Sequence, residues 1–333
     1  MIREKTSFAI LRNMYEILPY TPDLDKRLDH FVDFESVNGT FLQTRRFLNY
    51  HPAGRFNEAS FAFEKSGTIV AYFPGVAKEQ TFVSHAGSTF GGPIIAKSFY
   101  SGSRLLEIMK EADQYLADRF RSIRFKITPA IFAEESPDLL EYVLEHLGYT
   151  RHTELSSYCP LQSGADPLEN CDKECRRIFK KSEIESIRFG NLEKPEDFET
   201  FYRYLEISKS KHQVRPVHTL QELYDLKDNR IPERIRFRGI WDGDTLVAAM
   251  MLFLFKETKT IHGQYIAPNP DYDKFQPTTA LYIRVMREAA REGFQKISWG
   301  ISTENGGEYL NENLFRFKES LGAKACVNAF YTK

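Results

Sequence analysis

The chain has 333 residues, with 45 Lys and Arg against 46 Asp and Glu, a net charge of −1 and a 42% hydrophobic composition that includes 27 Phe and 17 Tyr. That length holds two ordinary domains, each with a substantial core, and the balance of apolar and charged residues excludes a disordered chain. The near-zero charge excludes a protein that grips DNA mainly through phosphate neutralisation, and the longest apolar run, LVAAMMLFLF, has ten residues where a membrane span needs about twenty.

The segment after Met1 carries Arg3, Glu4 and Lys5 and shows no apolar signal core, so a cytoplasmic location is expected. Residues 1–40 form a leading segment of helical pattern. QTRRFLNYHPAGRF follows, where Arg45, Arg46 and Arg55 could hold an anionic acceptor or simply be solvated. SFAFEK, the turn Ser66-Gly67, TIVAYFPGV and QTFVSHAGS predict a hairpin and further strands. His85 is followed by Gly87, Gly91 and Gly92, which let backbone approach a ligand; it is a candidate substrate contact or base, or a satisfied core histidine. SRLLEIMKEADQYLADRF then predicts an amphipathic helix, SIRFKI a strand, and LLEYVLEHLGY a short helix that Gly148 ends.

CPLQSGADPLENC interrupts both periods and places a boundary between domains 1–165 and 166–333. Beyond it RRIFKK has a basic face, KPEDFETFYRYLEISKSK is helical in pattern, and TLQELYDL predicts a helix capped by Thr219 with Glu222 three residues on. Lys209, Lys211, His212, Arg215 and His218 form a basic stretch suited to phosphates or to solvent. RFRGIW, the turn Asp242-Gly243, the strand TLVAAMMLFLF and the strand KTIHGQYIA follow, the last presenting His262 and Tyr265. These two are candidate acceptor contacts, with burial in a core as the ordinary alternative. TALYIRVMREAAREGF, KISWGI and LFRFKESLGA complete the chain's helix, strand and short helix.

The order of elements in the second half repeats that of the first. Gly67 to Gly243 spans 176 residues, and Ile123 to Ile297 and Leu147 to Leu321 each span 174. In the last helix Leu314, Phe317, Lys318 and Leu321 share one face, which sets an ammonium in an apolar stripe. The first copy has Leu140, Val143, Leu144 and Leu147 there, so packing alone does not call for a charge, and Lys318 is expected to have a task. The four cysteines (Cys159, Cys171, Cys175 and Cys326) have neither disulfide-scaffold density nor metal-ligand spacing. Hydrolase and metalloenzyme classes find no support, and no metal is expected.

Each half resembles the GNAT acetyltransferase fold, and the tandem pair, over residues 33–333, is similar to the FemAB family of aminoacyl transferases that extend peptidoglycan peptides. NLFRFKESLGA resembles that family's glyrFKxxFG pattern near the chain end; FLNYHPAGRF, SHAGSTFGG and VRPVHTLQELYDL are weaker echoes. The resemblance implies an α+β fold of two tandem GNAT-like domains, each a mostly antiparallel sheet flanked by helices. Acyl transfer is then expected in the second and acceptor binding in the first. It implies that Lys318 stabilises the developing oxyanion while Phe317 borders the acyl group. Neither half has the glycine-rich cofactor loop usual in GNAT proteins, so Thr278 and Thr279, beside Pro277 at the start of a helix, are the candidate cofactor-binding residues. No tightly bound cofactor is expected. The donor is left between acetyl-CoA and aminoacyl-tRNA, and the acceptor is an amine on a cell-envelope precursor, a peptide, a glycopeptide or a sugar. Two alternatives stand beside this: an acetyl-CoA-dependent N-acetyltransferase of a nucleotide sugar or polysaccharide unit, and an inactive duplicated module that binds peptide or polysaccharide.

Overall fold

The computed structural model describes residues 14–52, 54–184, 187–211 and 213–333. The hairpin Phe61–Lys65 to Thr68–Phe73 closes on Ser66 and Gly67, at φ 52° and 81°, the left-handed pair that a two-residue turn between twisted strands needs. In the second half Ile235–Asp242 turns into Thr245–Phe255 with Gly243 at φ 56°. The halves then differ locally. Thr245–Phe255 runs unbroken for 11 residues, whereas Pro74, with no N–H to give a ladder, divides Thr68–Phe73 from Gly75–Lys78. The first hairpin accordingly joins Glu16–Pro19 and Ile94–Ile95 in a separate four-stranded sheet.

An eleven-stranded sheet spans both halves. One side runs Arg188–Asn191, Ile235–Asp242, Thr245–Phe255, Thr260–Pro268 and Lys296–Ile301; the other runs Ser122–Lys126, Thr81–Ser84, Gly75–Lys78 and Asn57–Glu58. Between them stand Thr150–Pro160 and Lys324–Thr332, and these are exchanged. The last strand of the first half pairs with Lys296–Ile301, and the last strand of the chain crosses back to pair with Ser122–Lys126. They also pair with each other, antiparallel, over nine positions from Lys324↔Tyr158 to Thr332↔Thr150. Glu154 and Asn328, equivalent at the 174-residue offset, face each other in that register, so the pseudo-twofold axis relating the halves passes between them.

Helices cover the sheet where their periodicity predicts. Gly102–Ala117 buries Leu105, Ile108, Met109, Ala112 and Leu116 against Leu140, Val143 and Leu144 of Asp138–His146. Pro277–Arg291 and Glu312–Ser320 repeat the pair in the second half, joined by Lys173–Ile184, whose Phe179 lies in the same core. Both short helices end on a glycine in the left-handed region, Gly148 at φ 85° and Gly322 at φ 80°. The next residue's N–H returns to the last turn, Tyr149 to Leu144 O and Ala323 to Lys318 O. Of the expected leading helical segments, residues 1–13 lie outside the described residues; the described remainder is less helical than its pattern suggests, with the strand Glu16–Pro19 before Asp25–His30 and the strand Arg188–Asn191 between helices of the second half. Pro195–Ser210 follows, and Thr219 and Glu222 form the expected capping box of Leu220–Asp225. A shared aromatic core joins the halves: Phe41, Phe47, Phe90 and Phe132 meet Phe253 and Phe255. No helix among the described residues is long and apolar enough to cross a membrane.

Because the exchanged strands supply both sides of the central ladder, a chain ending at Ala323 is expected to lose the fold of both halves together, seen as loss of cooperative unfolding by circular dichroism. Leu144, fully buried, is the counterpart of Lys318. Leu144→Lys is expected to destabilise by about 4 kcal/mol or more in urea unfolding, because its surroundings offer an ammonium no acceptors.

Candidate active site

Thr260–Pro268 and Lys296–Ile301 pair in parallel at three positions only, from Thr260↔Lys296 to His262↔Ser298, and then part. Each strand carries a bulge at the point of divergence. Gln264 is the extra residue between Gly263 and Tyr265 opposite Leu252 and Met251, and Trp299 is the extra residue between Ser298 and Gly300 opposite Tyr158 and Ser157. A bulge bends its strand and re-aims its carbonyls. Gly263 lets the strands approach closely here, since a Cβ would stand 3.0 Å from the Trp299 ring and press on it, and Gly300 sits at φ 72°. The opened strands leave a cleft of about 420 Å³, lined by His262, Tyr265, Tyr282, Trp299 and Lys318, with Ser208 and Lys209 from Pro195–Ser210 and Thr89 and Lys126 from the first half.

Lys318 extends from Glu312–Ser320, a helix that Asn311 starts by accepting from Leu314 N–H at 3.1 Å. Its residue is 2% exposed, and its Nζ donates to Gly300 O (2.9 Å), Ile301 O (2.8 Å) and Ser302 Oγ (2.9 Å). All three donors of an ammonium are thus engaged by neutral acceptors, two of them carbonyls beside the Trp299 bulge. Burial lowers its pKa to about 8, with the neighbouring Cys326 thiol pulling the other way. Lys318 therefore does not snorkel to water; it stands as a dehydrated cation that changes charge close to neutrality. Leu314 lines the same cleft and is partly exposed.

Of the other sequence candidates, His262 and Tyr265 come to this cleft. His262 Nδ1 lies 3.2 Å from Ser298 Oγ, and burial, then the charge of Lys318, lowers its pKa to about 4, so the ring is neutral near pH 7. Tyr265 Oη is 2.7 Å from His218 Nδ1, and burial raises the phenol to about 12. His218 stands behind Tyr265 and stacks on Tyr50 at 4.9 Å. His85 is buried farther into the first half, where its Nδ1 accepts from Gly87 N–H and its ring lies parallel to that of His51 at 6.4 Å. Arg55 bridges the halves, donating to Glu222 Oε1 and Val217 O, both at 2.9 Å, and does not line the cleft. Arg45 is buried and Arg46 partly exposed, and both are held by carboxylates, those of Glu58 and Asp33. Arg215 is exposed, with its charge felt by Tyr202. Within the same basic stretch, His212 lies outside the described residues.

Phe317 and Lys318, adjacent in sequence, face different spaces. Phe317 borders a second cleft of about 380 Å³ with Thr278, Thr279, Asp172 and Glu174. Phe317 packs edge-on against Tyr282 at 5.5 Å and Tyr282 against Trp299 at 4.3 Å, so a row of three rings partitions this space from that of Lys318. The helix N-terminus at Pro277 would attract a phosphate, but Asp172 and Glu174 stand in the same cleft, and the nearby Arg177 is already held by Glu174 at 2.9 and 2.6 Å. On the other side of Gln276 and Pro277 a further cleft of about 400 Å³ is lined by Arg177 and Lys181, so the helix start has acidic and basic groups on its two sides.

Ser302, Lys126, Thr89 and Asn328 line or support the cleft without having been singled out from sequence. Only SWGIS carries a signal for them, a glycine interrupting a strand, which marks a bulge.

Residues 169–318 match the family model described as an acetyltransferase (GNAT) domain. No curated protein sequence matches the chain. Among solved structures it is similar to FemX, with TM-score 0.65 and 12% identity over 95% of this chain and 96% of that one. It is also similar to the L-PGS of Bacillus licheniformis, with TM-score 0.56 and 13% identity over 83% of each chain. A tandem GNAT protein from the clavulanic acid biosynthesis pathway gives TM-score 0.55 and 9% identity over 96% of this chain and 98% of that one. At such identities these likenesses show a shared fold. The second half thus matches a GNAT domain over residues 169–318, and the whole chain has the fold of tandem GNAT proteins.

Burial lowers His51, His85 and His262 to about 4 and His218 to about 3, from 6.5. Between pH 6.5 and 4 the unfolded chain binds these protons and the folded one does not, so stability is full above 6.5 and falls as pH drops, by about 1.4 kcal/mol per unit for each fully buried ring. His218→Gln, which cannot titrate, is expected to remove one such share of the slope in urea unfolding measured across that window.

Proposed function

We propose that the chain is an N-acyltransferase that moves an acyl or aminoacyl group to an amine of a cell-envelope precursor, peptide or sugar acceptor, with Lys318 beside the reacting carbonyl. The observation that carries this reading is an ammonium buried between splayed strands, held by three neutral acceptors and no carboxylate. The amine nitrogen attacks the acyl carbon and forms the C–N bond, negative charge gathers on the carbonyl oxygen, and the donor's C–O or C–S bond breaks. The amine's proton leaves with the departing group or to water. Lys318 supplies positive charge to that oxygen in a space where little water screens it. Its bond to Ser302 Oγ is the one that can be exchanged for a bond to the oxyanion, because a hydroxyl can turn to other partners while the two carbonyls cannot.

His262, neutral and beside Lys318, leaves that charge uncompensated. Tyr265 and Lys209 form the far wall, and the first half contributes acceptor contacts and support. Phe317 acts through Tyr282 to shape the acyl side. A second reading, an acetyl-CoA-dependent N-acetyltransferase, is favoured by the GNAT family match over residues 169–318. Comparing thermal shifts with acetyl-CoA and with charged tRNA separates the two, since a ligand of the native state raises its melting temperature.

Lys318→Met keeps the length of the side chain and removes the charge. It is expected to lower transfer by about 10²–10³-fold, as loss of an oxyanion donor does, with a circular dichroism spectrum unchanged. Retention of full transfer would eliminate the proposed role. In the wild type, transfer is expected to fall as pH rises through about 8, where Lys318 loses its proton. Relative to Lys318→Met, wild-type stability should rise from pH 8 to 10.5, because there the unfolded lysine still binds the proton that the folded one has released.

A further inference from the structure

The strand exchange brings a second polar group to the cleft, one with no counterpart in the row that holds Lys318. Asn328 lines the cleft from the last strand, is 5% exposed, and its Oδ1 has no hydrogen-bond partner. A buried amide oxygen left unpaired costs roughly 1–3 kcal/mol, so its retention on a cavity wall points to a donor brought by a ligand. Glu154 lies directly opposite in the ladder, also buried, with Oε2 2.7 Å from Lys126 Nζ but poorly aligned, so that this oxygen too keeps a free lone pair. Cys326 is two residues before Asn328 on the same face of its strand, and its thiol is close enough to Lys318 for each to alter the other's titration. Along this face the order is therefore ammonium, thiol, amide oxygen, carboxylate.

We propose that Asn328, backed by Glu154, forms the subsite for the nitrogen of the acceptor: a primary amine or ammonium that donates N–H to Asn328 Oδ1 while Lys318 faces the acyl oxygen. Such a site recognises a hydrogen-bond donor carrying partial or full positive charge and rejects a fully alkylated group that has no N–H to give. It deepens the transferase reading and rests on it for the word acceptor, but the recognition itself is independent of turnover. The subsite sits on the pseudo-twofold axis, where equivalent positions of the two halves face each other. Two carboxylates there would repel and two amides would leave no charge, and the observed Glu154 and Asn328 pair avoids both. Lys126 stands at the position equivalent to Gly300, so the first half supplies a cation to Glu154 where the second half turns a bulge toward Lys318.

The test uses the full chain with n-propylammonium and n-propyltrimethylammonium as probes, followed by ligand-observed NMR and thermal shift. Propylammonium is expected to bind the wild type, to bind Lys318→Met at least as tightly because a like charge has left the cleft, and to bind Asn328→Leu at least fivefold more weakly, while the trimethyl probe binds none of them. Asn328→Asp keeps the volume and adds a charge, so it should bind propylammonium more tightly, which carries the test should Asn328→Leu fail to fold. Absence of propylammonium binding to the wild type, equal binding of both probes, or an Asn328→Asp no tighter than wild type overturns the subsite. Failure of the transferase reading looks different: propylammonium still binds through Asn328, and Lys318→Met transfers acyl groups as well as the wild type.

Discussion

The backbone ladder between Thr150–Pro160 and Lys324–Thr332 is the constraint on which the molecule depends. Each of these strands finishes one half of the chain in sequence and lies beside the other half's strands in space. Their inward edges satisfy each other over nine register positions, so neither half can complete its sheet alone. Pairing strands so distant in sequence carries a large loop-closure cost, which the aromatic core shared by Phe41, Phe132, Phe253 and Phe255 helps to offset by removing apolar surface from water. The ladder also fixes a geometric consequence: because it closes on a pseudo-twofold, residues equivalent in sequence meet at its centre.

A continuous sheet would leave no room for a substrate. The cleft exists because two strands that run parallel for three positions each carry an extra residue just beyond, Gln264 on one and Trp299 on the other. The same irregularity turns the carbonyls of Gly300 and Ile301 toward Lys318, so the opening of the sheet and the housing of the cation have one cause. Desolvation disfavours the ammonium, and three short hydrogen bonds favour it. The balance leaves a group that is charged near neutral pH and poised to lose that charge not far above it. The neighbouring imidazole of His262 responds to the same field and stays neutral.

Duplication explains the scaffold, and the departures from it gather at the cleft that holds Lys318. Leu144 and Lys318 occupy one position of the repeat, Lys126 and Gly300 another, Glu154 and Asn328 a third. In the first half the helix position is packed core, while in the second the same position projects a charge into an opened sheet. Pro74 adds a further asymmetry by dividing a strand that its counterpart keeps whole, which peels the first hairpin into its own sheet. A twofold scaffold results in which the second half opens a cleft beside a buried lysine.

Much of this was legible in the residues. Apolar periods set the long helices, Gly67 and Gly243 marked the hairpins, Gly148 and Gly322 ended the short helices, and Thr219 with Glu222 announced a cap, because each is a local rule of backbone geometry and nearest-neighbour hydrogen bonding. The anomaly of Lys318 was visible too, as a charge in a stripe whose repeat is apolar. Tertiary structure alone decided which candidates meet. Arg55 turned out to be a strut between halves, Phe317 and Lys318 to face opposite sides of an aromatic partition, and Asn328 to share a cavity with Lys318. Those outcomes depend on strand register, bulges and exchange, which arise from contacts between residues far apart in the chain and leave no periodic mark in its sequence.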